Sequence, residues 1–116
     1  GAGKVNIQDL SLTKYVDKAS PNLMMHCSSG KHIDKVRLTV RKAGGESQVE
    51  YMIIDLEEVL ITSLSTGGSG SDDRLTENIT LNFAQVMVEY QPQKADGSKD
   101  GGPIKYGWNI RSNVKI

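Results

Sequence analysis

The sequence predicts a mainly β, antiparallel sandwich or barrel with one short α-helix on its flank. Three observations lead there. Alternation of apolar and polar side chains at period two recurs in five or six segments, as half-buried strands require. A single segment carries both a helix start and a helix stop. The stretch from Leu75 to Pro92 alternates from Glu77 to Phe83 and again, in the opposite phase, from Val86 to Tyr90. A phase flip of this kind inserts one residue into a strand ladder near Ala84 and Gln85, a β-bulge, and suits a bent wall of a curved sheet.

The elements follow in chain order. Val5 and Ile7, then Leu10 and Leu12, alternate with a shift near Gln8 and Asp9, which predicts a strand over Lys4 to Tyr15. Ser20-Pro21 predicts a helix entry with Ser20 as N-cap and Pro21 in the first turn. The helix runs from Asn22 to Ser29, and Gly30 ends it. Ile33 to Lys42 is a strand with Val36, Leu38 and Val40 on one face and Lys35, Arg37, Thr39 and Arg41 on the other. Ala43 to Glu46 reads as a hairpin connection. The return strand, Gln48 to Leu56, is apolar on both faces around Met52-Ile53-Ile54, which predicts cover on both sides. Glu57 and Glu58 interrupt it, and Val59 to Leu64 resumes. Thr66 to Asp73 is a glycine-rich loop before the long bulged strand. Gln91 to Pro103 is a second polar loop, and Ile104 to Ile110 is the last strand.

Composition narrows the function classes. The 116 residues suffice for one domain with one core. Fourteen basic and fourteen acidic residues cancel, so no net field draws the chain to nucleic acid or to a charged membrane. An aromatic share of 5% is too thin for a base-stacking platform. The single cysteine, Cys27, rules out an intramolecular disulfide. No apolar run approaches the roughly 20 residues of a transmembrane helix. The chain opens Gly1-Ala2-Gly3 without Met, which predicts that it derives from a longer product.

Candidate chemistry is sparse. Gly1-Ala2-Gly3-Lys4 resembles the tail of a phosphate-binding loop, but Val5 stands where Ser or Thr would hold magnesium, and a strand follows instead of a helix. His26 and Cys27 are helix neighbours and so face apart, and with His32 they lack the further ligand that zinc would need. Asp72, Asp73 and Glu77 lack the spacing of a calcium loop and read as solvated acids. Glu57 and Glu58 are adjacent on a strand and point to opposite faces, unlike a glycosidase carboxylate pair. Lys35, Arg37 and Arg41 form a basic strip without the aromatics of a nucleic-acid site; it reads as a solvated face or a seam facing acids. Tyr106 and Trp108 share one strand face and read as core or interface anchors. No catalytic, cofactor or metal site is predicted.

Several segments together resemble a known family. They are Asn22-Leu23-Met24-Met25, Arg41-Lys42-Ala43-Gly44-Gly45, and Ser65-Thr66-Gly67-Gly68-Ser69-Gly70. Leu75-Thr76-Glu77-Asn78, Asn82-Phe83-Ala84-Gln85-Val86, Tyr90-Gln91-Pro92-Gln93, and Gly101 through Ile110 complete the set. In order and spacing they resemble the haemolysin-coregulated protein (Hcp) family, the tube subunits of bacterial type VI secretion, across essentially the whole chain.

The resemblance implies a β-barrel of two sheets with a flanking helix, in one domain over residues 1–116 that lacks the family's opening strands. It implies a hexameric ring with a wide channel, and rings that stack into a tube inside a contractile sheath behind a spike. It further implies that effector proteins ride in the channel. The subunit would sit in the bacterial cytoplasm before firing and be secreted afterwards, without enzymatic activity, cofactor, nucleic acid or membrane insertion.

A head-to-tail ring needs two complementary sides. The basic Lys35, Arg37 and Arg41 and the acidic Glu57, Glu58, Asp72 and Asp73 are the expected subunit-interface residues. Gly44, Gly45, Gly67, Gly68, Gly101 and Gly102 mark the loops expected to meet the next ring. The alternative is a small ligand- or carbohydrate-binding β-sandwich, which would cluster exposed aromatics; Tyr106 and Trp108 alone come close.

Overall fold

A computed structural model describes residues 9–41, 50–68, 70 and 73–116. Its elements are β1 (Leu10–Tyr15), α1 (Ser20–Ser29), β2 (Ile33–Arg41), β3 (Glu50–Gly67), β4 (Thr76–Asn82), β5 (Gln85–Tyr90), β6 (Ile104–Asn109) and β7 (Val114–Lys115). The chain divides into two compact units. The first contains residues 9–34 and 58–83, and the second residues 35–57 and 84–116, among those described. The long strand β3 contributes its first half to the second unit and its second half to the first.

In the first unit β4 lies between β1 and the second half of β3, antiparallel to both. Leu12 faces Ile79, and Ile79 faces Leu64; Leu10 faces Leu81, and Leu81 faces Ile61. These rows explain the alternation in the sequence: one face of β4 is covered, the other exposed. Val59, Ile61, Ile79, Leu81 and Phe83 form the unit's buried apolar core, each such side chain contributing about 2 kcal/mol on burial. The register of β3 slips between Ile61 and Ser63, one residue too many against β4, which is a bulge.

The helix forms where its signals stand, one residue earlier than expected. Ser20 was expected as N-cap, but Ala19 holds that place without a side-chain bond, and Ser20 is the first helical residue. The reason is competition for its hydroxyl. Ser20 Oγ donates to Glu77 Oε1 at 2.7 Å and accepts from the Asp17 amide at 3.0 Å. Asp17 Oδ1 accepts from the Ala19 amide instead. Gly30 ends the helix as expected, in the left-handed conformation at φ 67 that a side chain would disfavour.

In the second unit the first half of β3 has β2 on one side and β5 on the other, and β6 and β7 follow outward from β5. The β3–β5, β5–β6 and β6–β7 pairs are antiparallel: Leu56 faces Val86, Val86 faces Trp108, and Trp108 faces Lys115. Leu56 and Val86 are buried. Met52, Ile53 and Ile54 are half-buried, so full cover on both sides of this stretch is not found.

Four further expectations are corrected. The long bulged strand is two strands, β4 and β5, broken at Phe83 and Ala84. The interruption at Glu57 and Glu58 is milder than expected: β3 runs through it, with Glu58 alone at φ 51. Thr66 and Gly67 belong to β3, because β4 offers them ladder partners in Glu77 and Thr76. The short β7 was not expected; two residues are too few for an alternation, and the turn before it rests on Asn113 at φ 58. Lys4 to Gln8, Lys42 and the hairpin at Ala43 to Glu46 lie outside the described residues.

Candidate functional site

The expected interface strip lies on β2, in the second unit. The alternation of Ile33–Arg41 sends Arg37 and Arg41 to its polar face, where the neighbouring β3 supplies acids. Arg37 donates from Nε to Asp55 Oδ1 at 2.7 Å and from Nη2 to Asp55 Oδ2 at 3.1 Å, a two-point fork. Arg41 donates twice to Glu50 Oε1, at 2.8 and 3.2 Å. Two of the three strip residues therefore find acids within their own unit. Asp55 and Glu50 were not singled out from the sequence. The signal existed: Asp55 is an acid set in an otherwise apolar run, and such a residue needs a partner.

Lys35 and Glu57 differ from that pattern. Both line a surface groove of about 420 Å³, together with Val36, Arg37, Asp55, Leu56 and Met87. Neither has an ion-pair partner among the described residues. Met87, which is 48% exposed, adds an apolar side chain to the lining. Beside the paired Arg37 and Asp55, the groove therefore presents Lys35, Glu57 and a thioether. Glu58 is exposed at its irregular backbone position, Asp73 is exposed beyond β3, and Asp72 is outside the described residues.

The expected stacking glycines fall into separate classes. Gly67 closes β3, and Gly68 follows it. A Cβ on Gly68 would stand 2.7 Å from Leu75 Cδ2, so a side chain there displaces Leu75 before it meets anything outside. Gly101 takes φ 72, a conformation that favours glycine, while a Cβ on Gly102 meets nothing within 4 Å. Gly44 and Gly45 lie outside the described residues. The loop that carries Gly101 and Gly102 is anchored by buried Gln91, whose Nε2 donates to the carbonyls of Pro92 and Gly101.

The remaining candidates are local structure. His26 Nδ1 bonds the Asn22 carbonyl one helical turn back, and Cys27 is half-buried beside it. Trp108 Nε1 donates to Asn113 Oδ1, which ties β6 to the turn before β7, while Tyr106 is 44% exposed. Among the described residues no group of three or more His, Cys, Asp or Glu is arranged to hold a metal. Among the described residues no helix is long and apolar enough to cross a membrane.

Glu77 is the residue that the sequence reading misplaced. Expected as a solvated acid, it sits in β4 at 1% exposure. It faces Lys14 across the ladder, with Lys14 Nζ 2.5 Å from its Oε1. Hydrogen bonding from Lys14 and then from Ser20 holds its pKa below the ordinary carboxylate range. The signal was in the alternation: Glu77 shares the phase of Ile79, Leu81 and Phe83, which puts it on the covered face.

Comparison with known proteins agrees with this architecture. A family model described as "Type VI secretion system effector, Hcp" matches residues 1–90. Protein hcp1 of Pseudomonas aeruginosa PAO1 is 76% identical over 112 residues, which cover 97% of this chain and 69% of that protein. The crystal structure of Hcp1 from Salmonella typhimurium matches at TM-score 0.81 and 32% identity, covering all of this chain and 77% of its own. The structure of a type six secretion system protein matches at TM-score 0.88 and 29% identity, covering 98% of this chain and 70% of that one.

Proposed function

The chain belongs to the Hcp family of type VI secretion proteins, and from that membership we propose that it is a subunit of the secretion tube, working by shape and assembly. The observation that carries this reading is the 76% identity to Protein hcp1, spread over 97% of the chain. Such a subunit is a structural protein of a secreted system, acting without a reaction of its own.

The finer features are proposed with it. The whole chain is one Hcp-like domain whose strands contribute to a two-sheet barrel. Copies close into hexameric rings, and the rings stack into a tube that a sheath surrounds and a spike caps. Small effectors travel in the channel. The subunit waits in the bacterial cytoplasm and leaves with the tube.

The ring contact is proposed to use the groove side of the β2 and β3 pair. Arg37 and Arg41 already hold Asp55 and Glu50. That leaves Lys35 and Glu57 as the charges to be matched by a neighbouring copy, with Glu58, Asp72 and Asp73 as further acidic contacts. The stacking contact is proposed for the loops around Gly44, Gly68 and Gly102.

Light scattering with negative-stain imaging tests the reading. A mass of about six subunits with annular particles is expected, and a monomer that never forms rings at any concentration counts against it. Lys35→Glu is expected to weaken the ring. Gly102→Arg, which has open space for its side chain, is expected to leave rings intact and prevent their stacking; normal tubes from that variant remove the loop from the stacking surface.

A further inference from the structure

We propose that the buried carboxylate of Glu77 is an acid-sensitive latch that holds the start of α1 on the β1 and β4 strand pair. The covered face of these strands is apolar through Leu10, Leu12, Leu81 and Ile79 and then changes character. The next row is Lys14 opposite Glu77, with Thr66 of β3 on the other side of Glu77. At this row the helix begins, and Ser20, its first residue, donates to the same Glu77 oxygen that Lys14 approaches.

The helix depends on this contact more than most helices would. Ser20 is its one buried residue, Leu23, His26 and Cys27 are half-buried, and Met24 and Met25 are exposed. Its first turn contains no acid, and its N-cap makes no side-chain bond. Glu77 supplies from another strand the negative group that a helix N-terminus favours. Protonation would remove the attraction to Lys14 and to the helix end together. Glu77 Oε2, buried and without a hydrogen-bond partner, would then carry or adjoin a proton with nowhere to donate.

Lys14 and Asp17 are the charges that act on Glu77, with Lys18 acting on Asp17. Lys14 and Asp17 lie on β1 and the turn after it, 3.0 Å apart. Arg74 stacks on the ring of Tyr15, and His26 is bonded within α1. Both Glu77 and Asp17 are held below their ordinary pKa, chiefly by Lys14. The stabilisation they give is therefore complete above the ordinary carboxylate range and is lost as pH falls through the lowered values.

Hydrogen exchange, corrected for intrinsic rates and followed from pH 7 to about pH 3, tests the latch. In the wild-type chain, protection of the α1 amides should fall at least about tenfold more than that of the β5 and β6 amides. Glu77→Gln should already have lost about tenfold of α1 protection at neutral pH and show no further helix-specific fall. Ser20→Ala, which leaves the carboxylate paired with Lys14, should release α1 while the amides of β1 and β4 keep their protection. Asp17→Asn should keep the acid-dependent fall. The idea is overturned by an α1-specific fall in Glu77→Gln equal to the wild type's, by its absence in the wild type, by unchanged α1 protection in Ser20→Ala, or by its disappearance in Asp17→Asn.

Discussion

Two cross-strand ion pairs, one in each unit, show how much the same chemistry changes with burial. Lys14 and Glu77 face each other on a covered sheet face, and Glu77 is 1% exposed. Arg37 and Asp55 form the better fork by geometry, yet their side chains are 65% and 37% exposed. In water an ion pair is screened and exchangeable, so the Arg37 fork orders the β2 and β3 surface and adds little to stability. Where water is excluded, each partner needs the other, because a charge left alone there has nothing to solvate it. The difference is one of accessibility, and it sorts the charges of this chain into those that hold the fold and those available to a partner.

The largest effect is expected from Glu77→Ala, which removes the buried partner that Lys14 and Ser20 share; thermal melting should fall by about 10 °C or more. A melting point within a few degrees of the wild type would mean that the site is wet in solution. Acidification should come next. As pH drops below the ordinary carboxylate range, wild-type melting should decline, and the decline should be shallower in the Lys14→Met, Glu77→Leu double variant, where an apolar pair replaces the charges.

A third substitution sharpens the picture at the edge of the second unit. A Cβ on Gly107 would stand 2.8 Å from Ile116 Cγ1 and 3.2 Å from its carbonyl oxygen. Gly107→Ala should loosen β7, lower melting by about 5 °C, and alter Trp108 fluorescence, because Trp108 pairs with Lys115. The smallest effect is expected from Arg37→Gln, within about 3 °C of the wild type. Raising salt from 0.1 to 1 M should likewise weaken the Arg37 pair while sparing Glu77. A large loss from Arg37→Gln would reverse the ranking of the two pairs.

Much of the architecture was legible because its causes are local. The left-handed stop at Gly30, the alternation of Ile33–Arg41 and the phase flip between Phe83 and Val86 all follow from backbone geometry that a few neighbouring residues impose. The flip was read as a bulge where the chain makes a full break, since one inserted residue and a strand ending leave the same pattern. The helix start slipped by one residue because Ser20 was judged by its neighbours, while its hydroxyl answers to a residue 57 positions away. Asp55 and Glu50 escaped notice for a similar reason: Asp55 matters through its distance to Arg37, which strand pairing sets.

The sequence by itself determined the strand-rich class, the single convincing helix and, through the order and spacing of its segments, membership in the Hcp family. These depend on periodicity, on caps and on residue identity, all of which are written along the chain. Tertiary structure alone decided which charges are buried. It turned Glu77 from a presumed surface acid into the anchor of a helix, gave Arg37 and Arg41 partners within their own unit, and left Lys35 and Glu57 facing a groove. Burial is a property of how strands pair and what covers them, and two residues of one kind in one kind of pattern can meet opposite environments.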